Sequence, residues 1–309
     1  FDHAFAGIVP LNMIFGKTAG YSTQRHAQPR IAFVLPTDDA FFVEGFKFAR
    51  NTHLLPVSSM VFRLWFCYNY SRSETINQHG NDERGTMYKG IVITPPDLNG
   101  CDWPGRMEAL GLNVLGIHSG GGPSHRVLPA LADTVAGTFR SKCAAARIEV
   151  EYELHAAMDL MPRELFPEHP EYFVQDFRSS RRNPAGNWCG VPAALSVVGQ
   201  NAAVLAERLQ PSTHRYFFWG SDEIGGWCHC EACADFSAAE QSLLAANVMA
   251  TSVRTVDPAG EVAFLAYCRT LERPRRVRPL DNVFLEFAPI ERCFRHAIDD
   301  PGCSENRRL

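Results

Sequence analysis

Two adjacent carboxylates, Asp222 and Glu223, follow the apolar run RYFFW and precede a pair of glycines. Adjacent residues at the end of a strand point in different directions, so one can face a substrate while the other orients it. Glycosidases use one carboxylic acid to protonate the leaving oxygen and a second group to stabilise the oxocarbenium-like centre. That second group would be Glu286 across the pocket or an acetamido group of the substrate held by Asp222. The alternative is an aspartate that caps a turn beside an exposed glutamate.

Three cysteines follow this pair in CxCxxC spacing, namely Cys228, Cys230 and Cys233. Structural zinc sites use four Cys or His ligands, so a fourth ligand has to come from elsewhere in the chain. Cys189 in GNWCG is the best candidate, and His229 is less suitable because it lies between ligands in a short loop. A structural zinc ion is therefore one interpretation, with reduced thiols or one disulfide as the alternative. The proposed chemistry itself requires no cofactor.

Polar and aromatic side chains also end the other apolar runs. In a parallel α/β barrel the chemistry lies at the carboxyl ends of the strands, where the loops converge on one mouth. Carboxylates, imidazoles and aromatic rings at such a mouth are the composition of a sugar-binding cleft. The predicted substrate-binding residues are His118, Glu153, His155, Trp219, Trp227 and Tyr267, and the predicted catalytic residues are Asp222, Glu223 and Glu286.

Each of these residues also has a purely structural interpretation. A single histidine is more often hydrogen-bonded inside a fold than catalytic. Glu151 and Glu153 share one face of their predicted strand, and one of them would then bind an arginine. Trp227 would be a lid over the cysteine loop, and Glu291 and Arg292 would be partners of Glu286.

The elements that position these residues alternate between β-rich and helical runs, which indicates βαβ units and a parallel sheet. The predicted strands are GIVI, NVLGIH, RIEVEYEL, RYFFW, EVAFLAY and NVFLEF, starting at 90, 113, 147, 215, 261 and 282. The predicted helices span 103–110, 127–146, 192–209 and 237–256. This order predicts an α/β fold of the (β/α)8 TIM-barrel type over residues 87–309, two strands short at its C-terminal end. Residues 1–86 are predicted to form a small α/β domain or linker region.

Composition narrows the class of protein. The chain has 309 residues, of which 46% are hydrophobic and 21% charged, as in globular proteins. A net charge of -4 gives no reason to expect nucleic acid as a partner, and no apolar run approaches the roughly 18 residues that cross a membrane. The ten cysteines are scattered or clustered and do not form a dense framework, which favours reduced thiols or metal ligation in the cytoplasm, with secretion as the alternative if a leader is missing from the chain.

Several segments, in order, resemble the bacterial family catalogued as domain of unknown function 4838. They are EYELHAAMDLMPRELFPEHPEYF, NWCG, HRYFFWGSDEIGGWCHCEAC, FLAYCRTLERP and FLEFAPIERC, within the range from Tyr88 to Asn306. The family is similar to glycoside hydrolases with TIM barrels, in the same broad group as family 20 hexosaminidases and family 67 alpha-glucuronidases. The resemblance implies a (β/α)8 barrel behind a smaller α/β domain, and a carbohydrate substrate.

The GSDE segment is similar to the GGDE of family 20 enzymes. That likeness implies that Glu223 is the general acid and that Asp222 positions an acetamido group. The working hypothesis is a glycoside hydrolase that acts on a glycan with N-acetyl or uronic groups. Its rival is a non-catalytic carbohydrate-binding or scaffolding barrel with a structural cysteine or metal loop.

Overall fold

A computed structural model describes residues 63–65, 88–120, 125–221 and 226–309 of the chain. Asp222 and Glu223, and nearly all of the predicted N-terminal region 1–86, lie outside these residues. Within the described part, residues up to Ile290 belong to one compact unit, and Glu291–Leu309 belong to another.

Nine strands lie in the described part of the chain. Their bounds are β1 Arg63–Trp65, β2 Gly90–Ile93, β3 Val114–His118, β4 Glu149–His155, β5 Phe173–Gln175, β6 Arg182–Trp188, β7 Arg215–Trp219, β8 Glu261–Ala266 and β9 Val283–Phe287. All six predicted strands are present, and each differs from its predicted bounds by two residues or fewer.

Six of these strands form a parallel sheet in the order β2-β3-β4-β7-β8-β9, and β1 adds to the β2 edge in antiparallel orientation. Each parallel neighbour is also the next sheet strand along the chain, as expected for successive βα units. The parallel α/β class predicted from the sequence is therefore confirmed. Among the described strands the sheet is open, with β1 and β9 at its edges, so a closed barrel is not observed.

Helices connect most of the parallel strands. Their bounds are α1 Trp103–Leu110, α2 Leu128–Ala136, α3 Phe139–Ala145, α4 Ala157–Leu160, α5 Pro192–Leu209 and α6 Ala238–Val253. Short 3₁₀ turns span Pro95–Leu98, Arg163–Leu165, Pro170–Tyr172, Glu231–Cys233, Cys268–Thr270 and Asn306–Arg308. None of the helices in the described ranges is both long and apolar enough to cross a bilayer.

Local sequence explains where the two long helices begin. Ser237 and Glu240 form a capping box that satisfies two backbone N–H groups at the start of α6. Pro192 opens α5 at a position where a backbone N–H is not needed. α5 and α6 pack on each other and cover one face of the sheet.

The continuous helix predicted over 127–146 is wrong, because the chain forms α2 and α3 with a break at Gly137. Gly137 is extended there, and an added Cβ would lie 2.8 Å from the Asp133 carbonyl oxygen. The run of alanines and leucines hid this break, since glycine alone does not fix where a helix ends.

The strands β5 and β6 were not predicted. They pair with each other in antiparallel orientation, between α4 and α5. The sequence of β6, RNPAGNW, contains proline and glycine, which disfavour a strand assignment from sequence. This small sheet matters for the site because β6 ends at Trp188, directly before Cys189.

Strands β2, β3, β4 and β7 of the parallel sheet are buried on both faces, whereas Leu285 and Phe287 of the edge strand β9 are exposed. Val150, Tyr152 and Leu154 of β4 belong to the large core that includes residues of α5 and α6. Glu151 and Glu153 alternate with them and therefore face the opposite side. That side carries a smaller apolar cluster, formed by Val92, Phe217, Trp219, Ala263 and Ala288. Charged and polar groups on this second face are consequently shielded from water.

Candidate functional site

The carboxyl ends of three neighbouring strands bring His118, His155 and Trp219 together. The ring centroids are 5.6 Å apart for His118 and His155, 5.2 Å for His155 and Trp219, and 5.9 Å for His118 and Trp219. The strand register explains this arrangement, because His118 aligns with Glu153 and His155 aligns with Trp219. The three rings form one buried aromatic group at the edge of the sheet.

Backbone contacts fix the orientation of both imidazoles. The N–H of Gly120 donates to Nδ1 of His118 at 2.9 Å, so a neutral His118 carries its proton on Nε2. Nδ1 of His155 lies 3.3 Å from the carbonyl oxygen of Gly220, which can only accept, so this nitrogen is protonated. The two rings therefore hold opposite tautomers when neutral.

Glu286, on β9, joins this group through Trp219. The indole Nε1 of Trp219 donates to Oε2 of Glu286 at 2.8 Å, and Oε1 is buried and accepts no hydrogen bond from a described residue. Burial raises the pKa of Glu286 to about 8, although the Trp219 hydrogen bond and the charge of Arg215 oppose the shift. The charge of Glu151 adds to the increase. At neutral pH the carboxyl group of Glu286 is therefore mainly protonated.

Glu151 and Arg215 form a buried ion pair further along the same face, with 3.6 Å between Oε1 and Nη1. The guanidinium group also lies 4.3 Å from the centre of the Phe284 ring. Burial raises the pKa of Glu151, and Arg215 opposes this shift. Glu151 is thus the glutamate of β4 that binds an arginine. Arg215 was not singled out in the sequence, although it begins the strand that leads to Trp219.

Glu153 occupies a space that a glycine leaves open. An added Cβ at Gly116 would lie 2.8 Å from Oε1 of Glu153 and 3.1 Å from Cγ2 of Val92. Only 2% of Glu153 is exposed, so its carboxyl group is enclosed at the centre of the sheet face. A side chain at position 116 would displace this carboxyl group.

A small cleft, with a cavity volume of about 40 Å³ and partly open to solvent, lies beside the carboxyl ends of β7 and β8. Its wall includes the rings of Trp188, Trp219, Trp227 and Tyr267 and the side chain of Arg269. Three of the predicted substrate-binding residues, Trp219, Trp227 and Tyr267, thus line one concavity. Their indole and phenol rings offer apolar faces with polar edges, which suits ligands that are themselves part apolar and part polar.

The remaining predicted residues are placed differently. His118, Glu153, His155 and Glu286 do not line this cleft, and all four are buried. Trp219 connects the two sets, because it lines the cleft and also contacts His118, His155 and Glu286.

Asn187, near the end of β6, fixes both ends of the segment that carries Asp222 and Glu223. Its side-chain amide donates to the Ser221 carbonyl oxygen at 2.8 Å and its Oδ1 accepts from the Ser221 N–H. Its backbone N–H donates to the carbonyl oxygen of Gly226 at 3.2 Å. Sequence reasoning missed Asn187, and the available signal was its position two residues before Cys189.

Four buried cysteines lie close together in the structure. Sγ of Cys189 lies 3.5 Å from Sγ of Cys230 and 3.6 Å from the sulfurs of Cys228 and Cys233. All four sulfur atoms lie within 4.8 Å of one another. The predicted fourth member, Cys189, is therefore present in the cluster, and this cluster could hold a metal ion. His229 is exposed and packs its ring against Phe177 instead.

The thiols of the cluster shift one another's pKa in opposite directions, and Cys228 is the one shifted towards thiolate, the form that binds metal. Neighbouring thiols of Cys189 and Cys233 lower the pKa of Cys228, and the N–H of Gln175, which donates to its sulfur at 3.3 Å, acts in the same direction. The same thiol contacts raise the pKa of Cys189 and Cys233, and burial alone raises the pKa of the isolated thiol of Cys143 to about 11.

The separate C-terminal unit, Glu291–Leu309, contains a second group of metal-ligating side chains. Cys293, His296 and Cys303 lie together, with 3.2 Å between Sγ of Cys293 and Nδ1 of His296. Asn306 holds this turn, because its Oδ1 accepts from the Cys293 N–H and its amide donates to the Ala297 carbonyl. Cys293 is only partly buried.

These features define a parallel α/β protein with a buried polar group, an adjoining aromatic cleft and a four-cysteine cluster at the carboxyl edge of its sheet. The family model for domain of unknown function (DUF4838) matches residues 130–307, which is more than half of the chain. The chain belongs to this family, as the motifs in its sequence indicated. No curated protein matches the chain significantly.

Proposed function

We propose that this protein is a glycoside hydrolase-like enzyme that acts on a glycan at the carboxyl edge of its sheet. The observation that carries the proposal is the position of Trp219. This residue, although only 6% exposed, lines the aromatic cleft and also donates a hydrogen bond to the protonated carboxyl group of Glu286. A ligand in the cleft would therefore contact a ring that is coupled to the acidic and imidazole groups behind it.

The proposal includes a barrel of the TIM type. In doubly wound sheets the strand order reverses at a switch point, where ligands bind. Here the parallel strands follow each other across the sheet in chain order, as they do in a (β/α)8 barrel. The polar groups His118, Glu153, His155 and Glu286 would then lie on the inside of the barrel.

In this proposal Trp219, Trp227 and Tyr267 stack on the apolar faces of sugar rings, and Glu223 is the proton donor. Glu223 and Asp222 follow β7 directly, between the two ends that Asn187 fixes. Glu223 would protonate the glycosidic oxygen while Asp222 positions the acetamido group of the substrate. The reaction uses carboxyl groups of the chain and no cofactor, so the four-cysteine cluster, as a candidate site for a structural metal ion, has a supporting role.

The raised pKa of Glu286 favours one of the two mechanisms that the sequence left open. A carboxylate nucleophile must be ionised, but Glu286, with a pKa of about 8, is mainly protonated at neutral pH. Participation of the substrate's own acetamido group needs no carboxylate nucleophile from the protein. We therefore favour an N-acetylhexosamine-containing glycan over a uronic one, with Glu286 as a hydrogen-bond donor.

The test is a panel of chromogenic glycosides, with and without the 2-acetamido group, assayed with the full chain. Glu223→Gln and Asp222→Asn should each lower turnover of the acetamido substrates, and loss of a general acid typically costs about 10² to 10⁴ in rate. Glu286→Gln should retain more activity than Glu223→Gln, because glutamine resembles a protonated glutamate. Unchanged turnover in Glu223→Gln would refute the assigned acid.

A non-catalytic carbohydrate-binding protein is the second candidate, and burial favours it. Glu153 and Glu286 are each 2% exposed, so among the described residues the cleft wall has aromatic rings but not these carboxyl groups. Binding of glycans without turnover of any glycoside in the panel would select this function. Either function fits a reducing compartment such as the cytoplasm, because the four clustered cysteines are unbonded.

A further inference from the structure

We propose that Cys189, Cys228, Cys230 and Cys233 bind one zinc ion, which has a structural role. The inference rests on the geometry of these four residues and does not depend on the proposed activity.

The sulfur positions match a single tetrahedral ion. Zinc binds thiolate sulfur at about 2.3 Å, so four sulfurs around one zinc ion lie about 3.8 Å apart. Here three sulfur–sulfur separations are 3.5, 3.6 and 3.6 Å, and all four sulfurs lie within 4.8 Å of one another. Disulfides would instead bring the sulfurs together in pairs at about 2.05 Å.

Hydrogen-bond donors surround the cluster in the way that a negatively charged centre requires. Four thiolates and a zinc ion have a net charge of about -2, which must be stabilised where the cluster is buried. The N–H of Gln175 donates to Sγ of Cys228 at 3.3 Å, and the N–H of Gly190 donates to Sγ of Cys233 at 3.2 Å. Nη1 of Arg182 lies 3.6 Å from Sγ of Cys228 and supplies positive charge. Such contacts orient thiolate ligands and tune the bound metal.

The backbone around the ligands is also fixed by other groups. The side chain of Gln241 accepts from the N–H of Cys228 at 2.9 Å and donates to its carbonyl oxygen at 3.0 Å. An added Cβ at Gly190 would lie 3.2 Å from Sγ of Cys233, so glycine allows the close approach of its N–H to that sulfur. The protein fold therefore holds the four ligands in place without a bound ion.

The donor set restricts which metals the site can bind. Four thiolates in a tetrahedron select zinc or iron, whereas calcium and magnesium require oxygen ligands. A cluster of several irons would place the four sulfurs on different iron atoms and therefore farther apart. Because all four positions are occupied by protein, the ion has no open site for substrate, which is typical of structural zinc.

The position of the site indicates what zinc would stabilise. Cys189 follows β6, and the other three ligands lie in the turn that precedes α6. Zinc would therefore join the small β5–β6 sheet to the segment after Gly226. Two residues before Cys189, Asn187 binds Ser221 and Gly226, which flank residues 222–225. The metal and Asn187 would together hold the loop after β7.

The first experiment measures metal in the full chain, purified under reducing conditions without chelators, by elemental mass spectrometry. We expect one zinc per chain, with loss of that zinc in Cys228→Ser and Cys233→Ser. Cys143→Ala, which removes a buried cysteine outside the cluster, and Cys293→Ser, which disrupts the C-terminal group, should both retain it. Absence of zinc from the wild type, retention of zinc in the cluster variants, or iron in its place would overturn the proposal.

The second experiment uses only the wild-type chain, so it holds even where a cysteine variant fails to fold. Cobalt(II) added to metal-free protein should give the intense visible d–d bands of tetrahedral coordination together with thiolate-to-cobalt charge-transfer absorption. Added zinc should abolish these bands, because zinc prefers thiolate ligands more strongly than cobalt does. Octahedral, pale cobalt spectra, or disulfides between these cysteines in the freshly purified protein, would contradict the site.

Discussion

Trp219 donates its indole N–H to Glu286 at 2.8 Å, and this hydrogen bond connects β7 with β9 across the intervening strand β8. Ala263 of β8 packs in the same apolar cluster as Trp219. Trp219 thereby links the aromatic cleft to the buried carboxyl group of Glu286. This hydrogen bond spans three strands at the carboxyl end of the sheet, and it also stabilises the edge strand β9.

Trp219→Phe should lower the free energy of unfolding by about 1–3 kcal/mol, because Glu286 loses a buried hydrogen bond. Phenylalanine keeps an aromatic ring beside His118 and His155. Trp188→Phe is the matched control, since Trp188 is also buried on the cleft wall but its Nε1 donates to no described residue. Urea unfolding followed by circular dichroism measures both. Equal losses in the two variants would show that the hydrogen bond contributes nothing beyond packing.

The raised pKa of Glu286 predicts a specific dependence of stability on pH. Its carboxyl group has an ordinary pKa of 4.5 in the unfolded chain and about 8 in the folded chain, so the folded state binds the additional proton between these values. The stabilisation is complete below pH 4.5 and is lost as the pH rises through about 8.

Glu286→Gln removes this titration. The difference in unfolding free energy between the variant and the wild type should therefore move in favour of the variant from pH 5 to pH 9. Urea unfolding of both proteins at several pH values measures this difference in unfolding free energy. A difference that stays constant over this range would show that Glu286 is already ionised in the folded protein.

Arg215→Met should destabilise the protein by about 3–5 kcal/mol, because it leaves Glu151 buried without its cation. The matched control is Arg254→Met. Arg254 has the shorter ion pair, 2.7 Å to Asp281, but both side chains are exposed. Exposed pairs contribute about 0–1 kcal/mol, so this variant should differ little from the wild type.

The double variant Arg215→Met with Glu151→Gln separates the ion pair from packing. It should recover part of the lost stability, since no buried charge is left without a partner. Chemical denaturation of the four proteins completes the cycle. Additive effects of the two substitutions would mean that the pair is not coupled.

Asn187→Ala should weaken the anchoring of the segment between Ser221 and Gly226. The variant loses the amide that binds the Ser221 backbone in both directions. Hydrogen exchange at the Ser221 amide should become faster, and if Glu223 is the acid, turnover should fall with it. Gly220→Ala should act similarly, because the added Cβ would lie 2.5 Å from Oδ1 of Asn187. Unchanged exchange in Asn187→Ala would contradict this role.

Much of the fold follows from short-range pattern in the sequence. RYFFW and GIVI are apolar runs bounded by polar residues, and both form strands with the predicted bounds. Pro192–Leu209 likewise forms a helix with the predicted bounds, since alanine and leucine favour helix and proline fits its first turn. The pattern failed at β6 and at Gly137. At both places, contacts with backbone elsewhere in the chain outweigh the local conformational preference of the residues.

The sequence by itself determined the strand and helix alternation, the family, and which side chains end each strand, because these depend on residues close together in the chain. The tertiary structure decided which of these residues line the cleft, which are enclosed and which contact one another. It places Trp219, Trp227 and Tyr267 on the wall of one small cleft, where only Trp227 of the three is partly exposed, and it encloses His118, Glu153 and Glu286 away from that cleft. It pairs Glu151 with Arg215 and brings Cys189 to three cysteines about 40 positions further along. Such pairings depend on strand register and on the packing of segments distant in sequence, and local composition does not encode them.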